Sequence, residues 1–393
     1  MVSFAHLSAL TYNEALQKTL IQSPALALSL MEIEEREGEH IQTGLYFNPV
    51  FSYSVENVFG NHCWKGLGAA ESRYEISQGI DLGNKRKYRA SRAYFLIQSA
   101  QYAHSYLEIE TAKRMKKTFL KVVAAQELLK LAENQQKIAL KTLNLIQQKS
   151  EFGRISPIEK NKAKLNKANA ELILQKANVN LEIAKEELSL HWGAKCAEFE
   201  DVEYPFFEVY CPPCFEECLH MHKDHPLLLK MRFQQFAAAE GVDLEKMSFY
   251  PEVVVTAGLK TVQDTGDKGM ILGIAFPLPI FDRNQGSICR AKAEKNRLLN
   301  QYCETELLLD SRLAILHKEA MQSHNEAMQL KEIILTLAEE AYEWVREGYA
   351  AGKLEYLELL EAGRTLFDAQ ERYIQALLSY FEKQTDIEYL TLP

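Results

Sequence analysis

Four short segments of the chain alternate apolar and polar residues with a period of two, the pattern of a β-strand with two different faces. They are residues 51–56, 73–80, 252–260 and 270–276, and they form two pairs about 200 residues apart. The alternation is weakest in the fourth segment, where both faces are apolar or small. The sequence therefore predicts two pairs of β-strands.

Two much longer segments place apolar or small residues at steps of three and four, which is the pattern of a helix packed along one seam. No proline lies between Pro49 and Pro157 or between Pro279 and Pro393, so neither segment contains a helix breaker. A helix of about 65 residues would be about 100 Å long. The seam positions are Met115, Phe119, Val122, Ala125, Leu129, Ala132, Ala139, Leu143 and Ile146, then Leu313, Leu316, Ala320, Ser323, Ala327, Leu330, Ile334, Leu337, Ala341, Trp344 and Gly348.

A glycine follows each long segment, and a shorter segment with helical periodicity comes after it. Gly153 and Gly352 mark the points where the chain reverses, because glycine readily ends a helix. The return helices are predicted to run from residue 157 to about 192 and from residue 356 to about 389.

This order of elements occurs twice, with matching residues displaced by about 200 positions. Pro24 corresponds to Pro226, and residues 152–155 correspond to residues 351–354. The predicted fold is mainly α with a small β part, built from two tandem repeats of helix, strand, strand, long helix and helix. The predicted domains are a first repeat over residues 1–199, a connector over 200–212 and a second repeat over 213–393.

Composition and the absence of catalytic motifs exclude several classes of function. Fifty-four acidic against 45 basic residues give a net charge of −9, so nucleic acid is not expected as a partner. No apolar run approaches the roughly 18 residues of a membrane-spanning helix, whereas the short alternating strands leave a β-barrel open. A Gly-rich phosphate loop and a nucleophile elbow are both missing, so we expect neither an enzyme nor a cofactor. Residues 1–10 have no basic region followed by an apolar one, so no signal peptide is visible in this sequence.

The duplicated strand pairs, the proline breaks and the glycine turns together resemble the TolC-like outer-membrane efflux proteins, the exit ducts of tripartite pumps. The resemblance runs from Leu10 to about Leu392 and includes the opening segment of residues 10–16. Residues 55–60, 80–86 and 276–286 are most similar to the heavy-metal branch of that family, the cobalt–zinc–cadmium ducts.

The resemblance implies a homotrimer whose chains each contribute four strands to a twelve-stranded transmembrane β-barrel in the outer membrane. The long helices would continue this barrel as an α-helical tunnel through the periplasm. The implied function is passive export of heavy-metal cations or other small molecules, with outer-membrane lipid, a periplasmic adaptor and an inner-membrane pump as partners. Two alternatives remain open at this point: a soluble coiled-coil scaffold derived from such a duct, and the exit duct of a type I protein secretion system.

The resemblance also implies a gate that closes the periplasmic end of the tunnel. Counted from the turn glycines, Glu159, Glu358 and Glu361 take the positions of the family's gate carboxylates, and Tyr349 takes the position of its gate tyrosine. Leu354 departs from the family pattern, because relatives carry an arginine there. The alternative interpretation is that these glutamates are ordinary solvated residues of a helix surface.

The resemblance implies that the turns at Gly153 and Gly352 contact the periplasmic adaptor. The residues in question are Gly153, Arg154 and Ile155 in the first turn and Gly352, Lys353 and Leu354 in the second. The alternative is that each glycine only terminates a helix.

A cluster of cysteines and histidines lies in and after the connector between the repeats. Thiolates and imidazoles are the ligands that zinc and copper prefer, so metal binding is one hypothesis. A Cys211–Cys214 disulfide and free thiols are the alternatives. The cluster consists of Cys211, Cys214, Cys218, His220 and His222.

Five aromatic residues in or next to the predicted strands are candidates for contact with lipid, as in the aromatic girdles of membrane barrels. The alternative is that they form the core of a soluble sheet. They are Phe51, Tyr53, Phe59, Tyr74 and Phe276.

Overall fold

The computed structural model describes residues 9–151, 156–221 and 224–392. The chain divides into two compact units. Unit 1 comprises Met1–Leu28, His104–His225 and Leu307–Pro393, and unit 2 comprises Ser29–Ala103 and Pro226–Glu306.

The helices and strands follow the predicted order. The helices are α1 (Tyr12–Gln22), α2 (Pro24–Thr43), α3 (Lys85–Glu151), α4 (Pro157–Ser189), α5 (Phe215–Met221), α6 (Pro226–Met247), α7 (Gln285–Gln329), α8 (Thr336–Ala350) and α9 (Tyr356–Leu390). The strands are β1 (Leu10–Thr11), β2 (Val50–Glu56), β3 (Glu71–Asp81), β4 (Val202–Glu203), β5 (Glu252–Val262) and β6 (Lys268–Ala275). In the described ranges, none of the helices is long and apolar enough to cross a membrane.

The four predicted strands form one antiparallel sheet in unit 2, with the order β2-β3-β5-β6. The central pair joins the two repeats, because β3 aligns with β5 from Glu71 opposite Val262 to Asp81 opposite Glu252. β2 and β6 are the outer strands of the sheet in a single chain. Edge strands of this kind carry backbone groups that can pair with another strand.

Unit 1 is held together by an aromatic core between α3 and α9. Phe119 and Tyr380 are fully buried there, and the cluster also contains Phe206 from the connector. Tyr12 and Tyr389 share a hydrogen bond of 2.7 Å between their hydroxyl oxygens. The segment that precedes α1, Leu10–Thr11, is fixed to the connector by a short parallel pairing of β1 with β4. The sequence analysis did not predict either of these strands.

The seam of the first long helix is confirmed, since α3 runs unbroken for 67 residues and most of its predicted seam positions are buried. The predicted seam of the second long helix is confirmed only up to Leu330. There a six-residue π-turn (Leu330–Leu335) separates α7 from α8. A π-turn uses hydrogen bonds of the i→i+5 type and so adds a residue to the turn, which rotates the following helix by about 100°.

The prediction that the same seam continues through Leu337 and Trp344 is therefore wrong. These two side chains are 60% and 70% exposed. Leu335, Ala338 and Tyr342, one position further along the chain, pack against the core instead.

Two glycines of the sheet allow a test of how closely β3 and β5 pack. A Cβ on Gly258 would lie 2.5 Å from the carbonyl oxygen of Tyr74 on the neighbouring strand, whereas a Cβ on Gly269 would meet nothing within 4 Å. We expect Gly258→Ala to lower the free energy of unfolding by about 1–3 kcal/mol, because the strands must move apart.

The matched control Gly269→Ala is expected to change the free energy of unfolding by less than about 0.5 kcal/mol. Thermal unfolding of both variants followed by circular dichroism gives the comparison. Equal effects of the two substitutions would show that the β3–β5 pairing is not as tight as described.

Candidate functional site

The turn between α8 and α9 is a Schellman motif. The amide of Lys353 donates to the carbonyl of Gly348 (2.9 Å), and the amide of Gly352 donates to the carbonyl of Tyr349 (3.1 Å). Gly352 has a φ of +73°, in the left-handed region that favours glycine at this position. Leu354 folds back over Gly348, where an added Cβ would lie 2.5 Å from its Cδ1 atom. The turn residues thus have a clear role in ending α8, and their contact with an adaptor stays a prediction.

The first turn of α9 carries two of the predicted gate carboxylates. The amide of Glu355 donates to Oε2 of Glu358 at 3.0 Å, and the two residues form a capping box. Glu361 lies three residues further along, so it projects from the same face of the helix as Glu358. Both predicted gate residues are exposed. Glu358 therefore stabilises the start of the helix while its carboxylate remains in contact with solvent.

Two tyrosines meet beneath this turn. Tyr349 of α8 and Tyr356 of α9 have ring centroids 6.0 Å apart. Tyr356 is only 2% exposed and packs against Ile146 of α3 and Ala163 of α4. The ends of four helices are thereby joined in one small apolar cluster.

The hydroxyl groups of these tyrosines are in an unusual environment. Burial raises the pKa of Tyr356 to about 12, and Tyr349 and the negative charge of Glu159 add to this effect. Burial also raises the pKa of Tyr349, again with a contribution from Glu159. Within the described part of the chain, neither buried hydroxyl has a hydrogen-bond partner. The ammonium group of Lys149 lies 4.6 Å from the centroid of the Tyr349 ring.

The structure thus brings the predicted gate residues Glu159 and Tyr349 close enough to interact through charge, without a hydrogen bond between them. Tyr356 is a member of the same cluster that the sequence analysis missed. The duplication gave no signal for it, because the matching position in the first repeat is Pro157.

An open groove lies beside this cluster, with a volume of 770 Å³. Leu165 and Leu172 of α4 line one wall, and Phe367 of α9 lines the other. Glu361 borders the groove as well, together with Arg364. One of the two exposed carboxylates of the predicted gate is therefore next to an apolar surface.

The first predicted docking turn precedes α4 in the sequence. Gly153, Arg154 and Ile155 lie outside the described residues. Ser156 follows this turn and caps α4, because its hydroxyl accepts a hydrogen bond from the amide of Ile158.

The predicted metal ligands do not form a metal site among the residues that the structure describes. Cys211 and Cys214 are exposed free thiols, whereas Cys218 is buried against Leu313 and Leu316 of α7. Burial raises the pKa of Cys218, which disfavours the thiolate that a metal requires. The described residues contain no group of three or more potential ligands. The side chain of His220 and all of His222 lie outside the description.

The predicted girdle aromatics are all exposed in the single chain, which does not agree with the core of a soluble sheet. Tyr53 and Tyr74 are opposite each other on β2 and β3, with ring centroids 4.9 Å apart. Phe51 is 65% exposed and Phe59 is 82% exposed.

Comparison with known proteins gives a consistent result. The family model for the outer membrane efflux protein matches residues 221–391. The cobalt-zinc-cadmium resistance protein CzcC of Cupriavidus metallidurans is 28% identical over 379 residues, which are 96% of this chain and 89% of that protein. The nickel-cobalt-cadmium resistance protein NccC of Alcaligenes xylosoxydans xylosoxydans is 25% identical over 277 residues, which are 70% of this chain and 62% of that protein.

The fold matches solved structures as well. The outer membrane protein VceC of Vibrio cholerae superimposes with a TM-score of 0.80, over 97% of this chain and 96% of that one. The sequence identity is 17%, so this likeness concerns the fold alone.

The raised pKa of Tyr356 leads to a prediction about alkaline stability. The folded protein keeps this proton up to about pH 12, whereas the unfolded chain loses it near the ordinary value of 10.0. The contribution of the protonated Tyr356 hydroxyl to the free energy of unfolding is therefore present below pH 10 and is lost as the pH rises towards 12. We expect Tyr356→Phe to reduce the loss of unfolding free energy between pH 8 and pH 11 by about 1 kcal/mol.

Guanidinium unfolding at both pH values measures this difference. Tyr46→Phe is the control, because Tyr46 is 76% exposed. An identical loss in the wild type and in Tyr356→Phe would contradict the buried position of this hydroxyl.

The cysteine environments can be tested by thiol labelling followed by peptide mapping. We expect Cys211 and Cys214 to react rapidly in the folded protein and Cys218 to react at least about tenfold more slowly, because the thiolate is the reactive form and burial disfavours it. In denaturant the three rates should converge. Fast labelling of Cys218 in the native state would reopen the metal hypothesis for this residue.

Proposed function

We propose that the chain, whose residues 221–391 match the outer membrane efflux protein family, is the outer-membrane exit duct through which a tripartite pump expels heavy-metal cations. The observation that carries the proposal is the similarity to a cobalt-zinc-cadmium resistance protein along 96% of the chain. The duct itself is passive. An inner-membrane pump supplies the energy, and a periplasmic adaptor connects the pump to the duct.

The proposed assembly is a homotrimer in the outer membrane that extends into the periplasm. One chain supplies a four-stranded sheet whose outer strands, β2 and β6, have unpaired edges. Three chains would pair these edges into a closed barrel of twelve strands, which removes every open edge. The exposed aromatic side chains of the sheet would then contact outer-membrane lipid.

The proposed gate consists of Glu358 and Glu361 on α9, supported by the influence of the Glu159 charge on Tyr349. The exposed, same-face arrangement of the two carboxylates on α9 supports this role. In a trimer, six such carboxylates would surround the axis and favour cations over anions. Their mutual repulsion would be relieved by the cations that pass between them.

The turn at the end of the α8–α9 hairpin is proposed to contact the adaptor. Gly352, Lys353 and Leu354 form its tip, and Gly352 and Lys353 are exposed while Leu354 packs on Gly348. Gly153, Arg154 and Ile155 of the first turn complete the proposed contact.

The duct and its gate can be tested together by single-channel recording in a planar bilayer. We expect the wild-type protein to give discrete conductance steps with a preference for cations. Glu358→Gln combined with Glu361→Gln should weaken this preference because it removes the negative charge. Glutamine keeps an oxygen that can cap α9, so the variant should fold.

Glu182→Gln combined with Glu371→Gln is the matched control, since it removes two exposed glutamates away from the turn. Unchanged selectivity in the first variant would leave the duct in place and show that the gate assignment is wrong. A folded wild-type protein that never inserts would favour the soluble scaffold instead.

A further inference from the structure

The sheet of β2, β3, β5 and β6 has one apolar and one polar face, because successive residues of a strand point to opposite sides. The apolar face carries Phe51, Tyr53 and Tyr74, three of the aromatic residues predicted to contact lipid. In the proposed barrel this face is turned to the lipid, so the polar face surrounds the interior. The side chains of the polar face therefore decide which ions the interior favours.

The polar face carries a net negative charge. It has five acidic and two basic side chains, a net charge of −3 for one chain. These side chains are Glu56, Glu71, Glu75, Asp81 and Glu252, together with Arg73 and Lys260. Three chains in a closed barrel would place three times this charge on the inner surface.

Two ion pairs neutralise the end of the sheet at which β2 is connected to β3 and β5 is connected to β6. Arg73 pairs with Glu56 at 2.9 Å, and Lys260 pairs with Glu71. Arg73 and Lys260 are opposite each other on β3 and β5, and Glu56 and Glu71 are opposite each other on β2 and β3. These four charges thus form one compact group with no net charge.

The remaining acidic residues of this face are not all neutralised. Asp81, at the end of the sheet next to the helices, pairs with Arg89 of α3. Glu252 is opposite Asp81 at the same end and is exposed. Glu75 lies in the middle of β3, and within the described part of the chain it has no ion pair. It is therefore the uncompensated charge in the central part of the polar face.

The immediate neighbours of Glu75 are small and neutral. Ser52 is opposite it on β2, and Gly258 is opposite it on β5. The Glu75 side chain lies against this glycine, because an added Cβ on Gly258 would be 2.8 Å from Cγ of Glu75. Beyond them, the hydroxyl groups of Ser77 and Thr256 share a hydrogen bond of 2.9 Å. Glu75 thus contributes no ion pair to the sheet, and no neighbour offsets its charge.

We propose that Glu75 is a further selectivity-determining residue, which makes the barrel itself prefer cations over anions. Three copies would place a ring of carboxylates on the inner wall, and such rings favour cations. The ring would act through its electric field in the water-filled interior, so that it favours hydrated cations as a class without coordinating them. The inference rests on the proposed function and adds a source of selectivity that does not depend on the gate carboxylates Glu358 and Glu361. The barrel would therefore still prefer cations when the gate is open.

The test is the reversal potential of single channels in a gradient of potassium chloride. In about 0.01 M salt the Debye length is about 30 Å, so we expect Glu75→Gln to lower the cation-to-anion permeability ratio at least about twofold. In about 1 M salt the Debye length is about 3 Å, and the difference should largely disappear. Glu75→Lys should lower the ratio further, because it reverses the sign of the charge. Both variants should fold, since changes on the inner face of a barrel tune selectivity, whereas charges on the lipid face destabilise it.

Glu75→Asp is the matched control, because it keeps the negative charge and should keep the wild-type ratio. Glu182→Gln removes an exposed carboxylate of α4, outside the sheet, and should also leave the ratio unchanged. Wild-type ratios for Glu75→Gln and Glu75→Lys at low salt would overturn the inference. If the channels conduct in that case, the exit duct stands and only the role of Glu75 is wrong, whereas a folded wild-type protein that never conducts would remove both.

Discussion

The rest of the helical unit depends on one constraint, the phase of the seam along the two long helices. Small and apolar residues at steps of three and four bury one line of α3 and one line of α7, and that line fixes which side chains face the chain's own core. A shift of one residue moves every later side chain by about 100° around the helix. The π-turn makes such a shift at Leu330. Before this residue, the apolar line of α7 packs against the core of the chain. After it, the same line continues on α8 as exposed apolar side chains.

Most of the architecture could be predicted because it is encoded in local patterns that occur twice. The four strands, the long and return helices and the second glycine turn lie where periodicity and duplication put them. The family indicated by those motifs agrees with the family model that matches residues 221–391 and with the similarity to a cobalt-zinc-cadmium resistance protein. The π-turn could not be predicted, because Ile334 and Leu335 are equally apolar and only packing against α9 decides between them. The β1–β4 pairing was missed for a related reason, since strands of two residues have no measurable periodicity.

In the candidate site too, features that depend on tertiary packing could not be predicted from the sequence. The residue types at the turn could be matched to a family pattern, but their environments could not be read from the sequence. Glu358 acts as a helix cap, Tyr356 is buried with a hydroxyl that lacks a partner among the described residues, and Cys218 is part of the core. For Tyr356 and Cys218 the deciding quantity is burial, which depends on residues far away in the chain.

In the proposed duct, the acidic α8–α9 hairpin would combine two tasks that place opposite demands on its charge. A cation path needs carboxylates that stay ionised and accessible, whereas assembly of many carboxylates around one axis is opposed by their repulsion. The α3–α4 hairpin would offset this repulsion in the proposed assembly, because the net charge of +6 over residues 137–176 equals in magnitude the −6 over residues 331–371. The exposed carboxylates of the proposed gate are screened over about 8–10 Å at about 0.10–0.15 M salt. The cation preference of the duct should therefore weaken as the salt concentration rises.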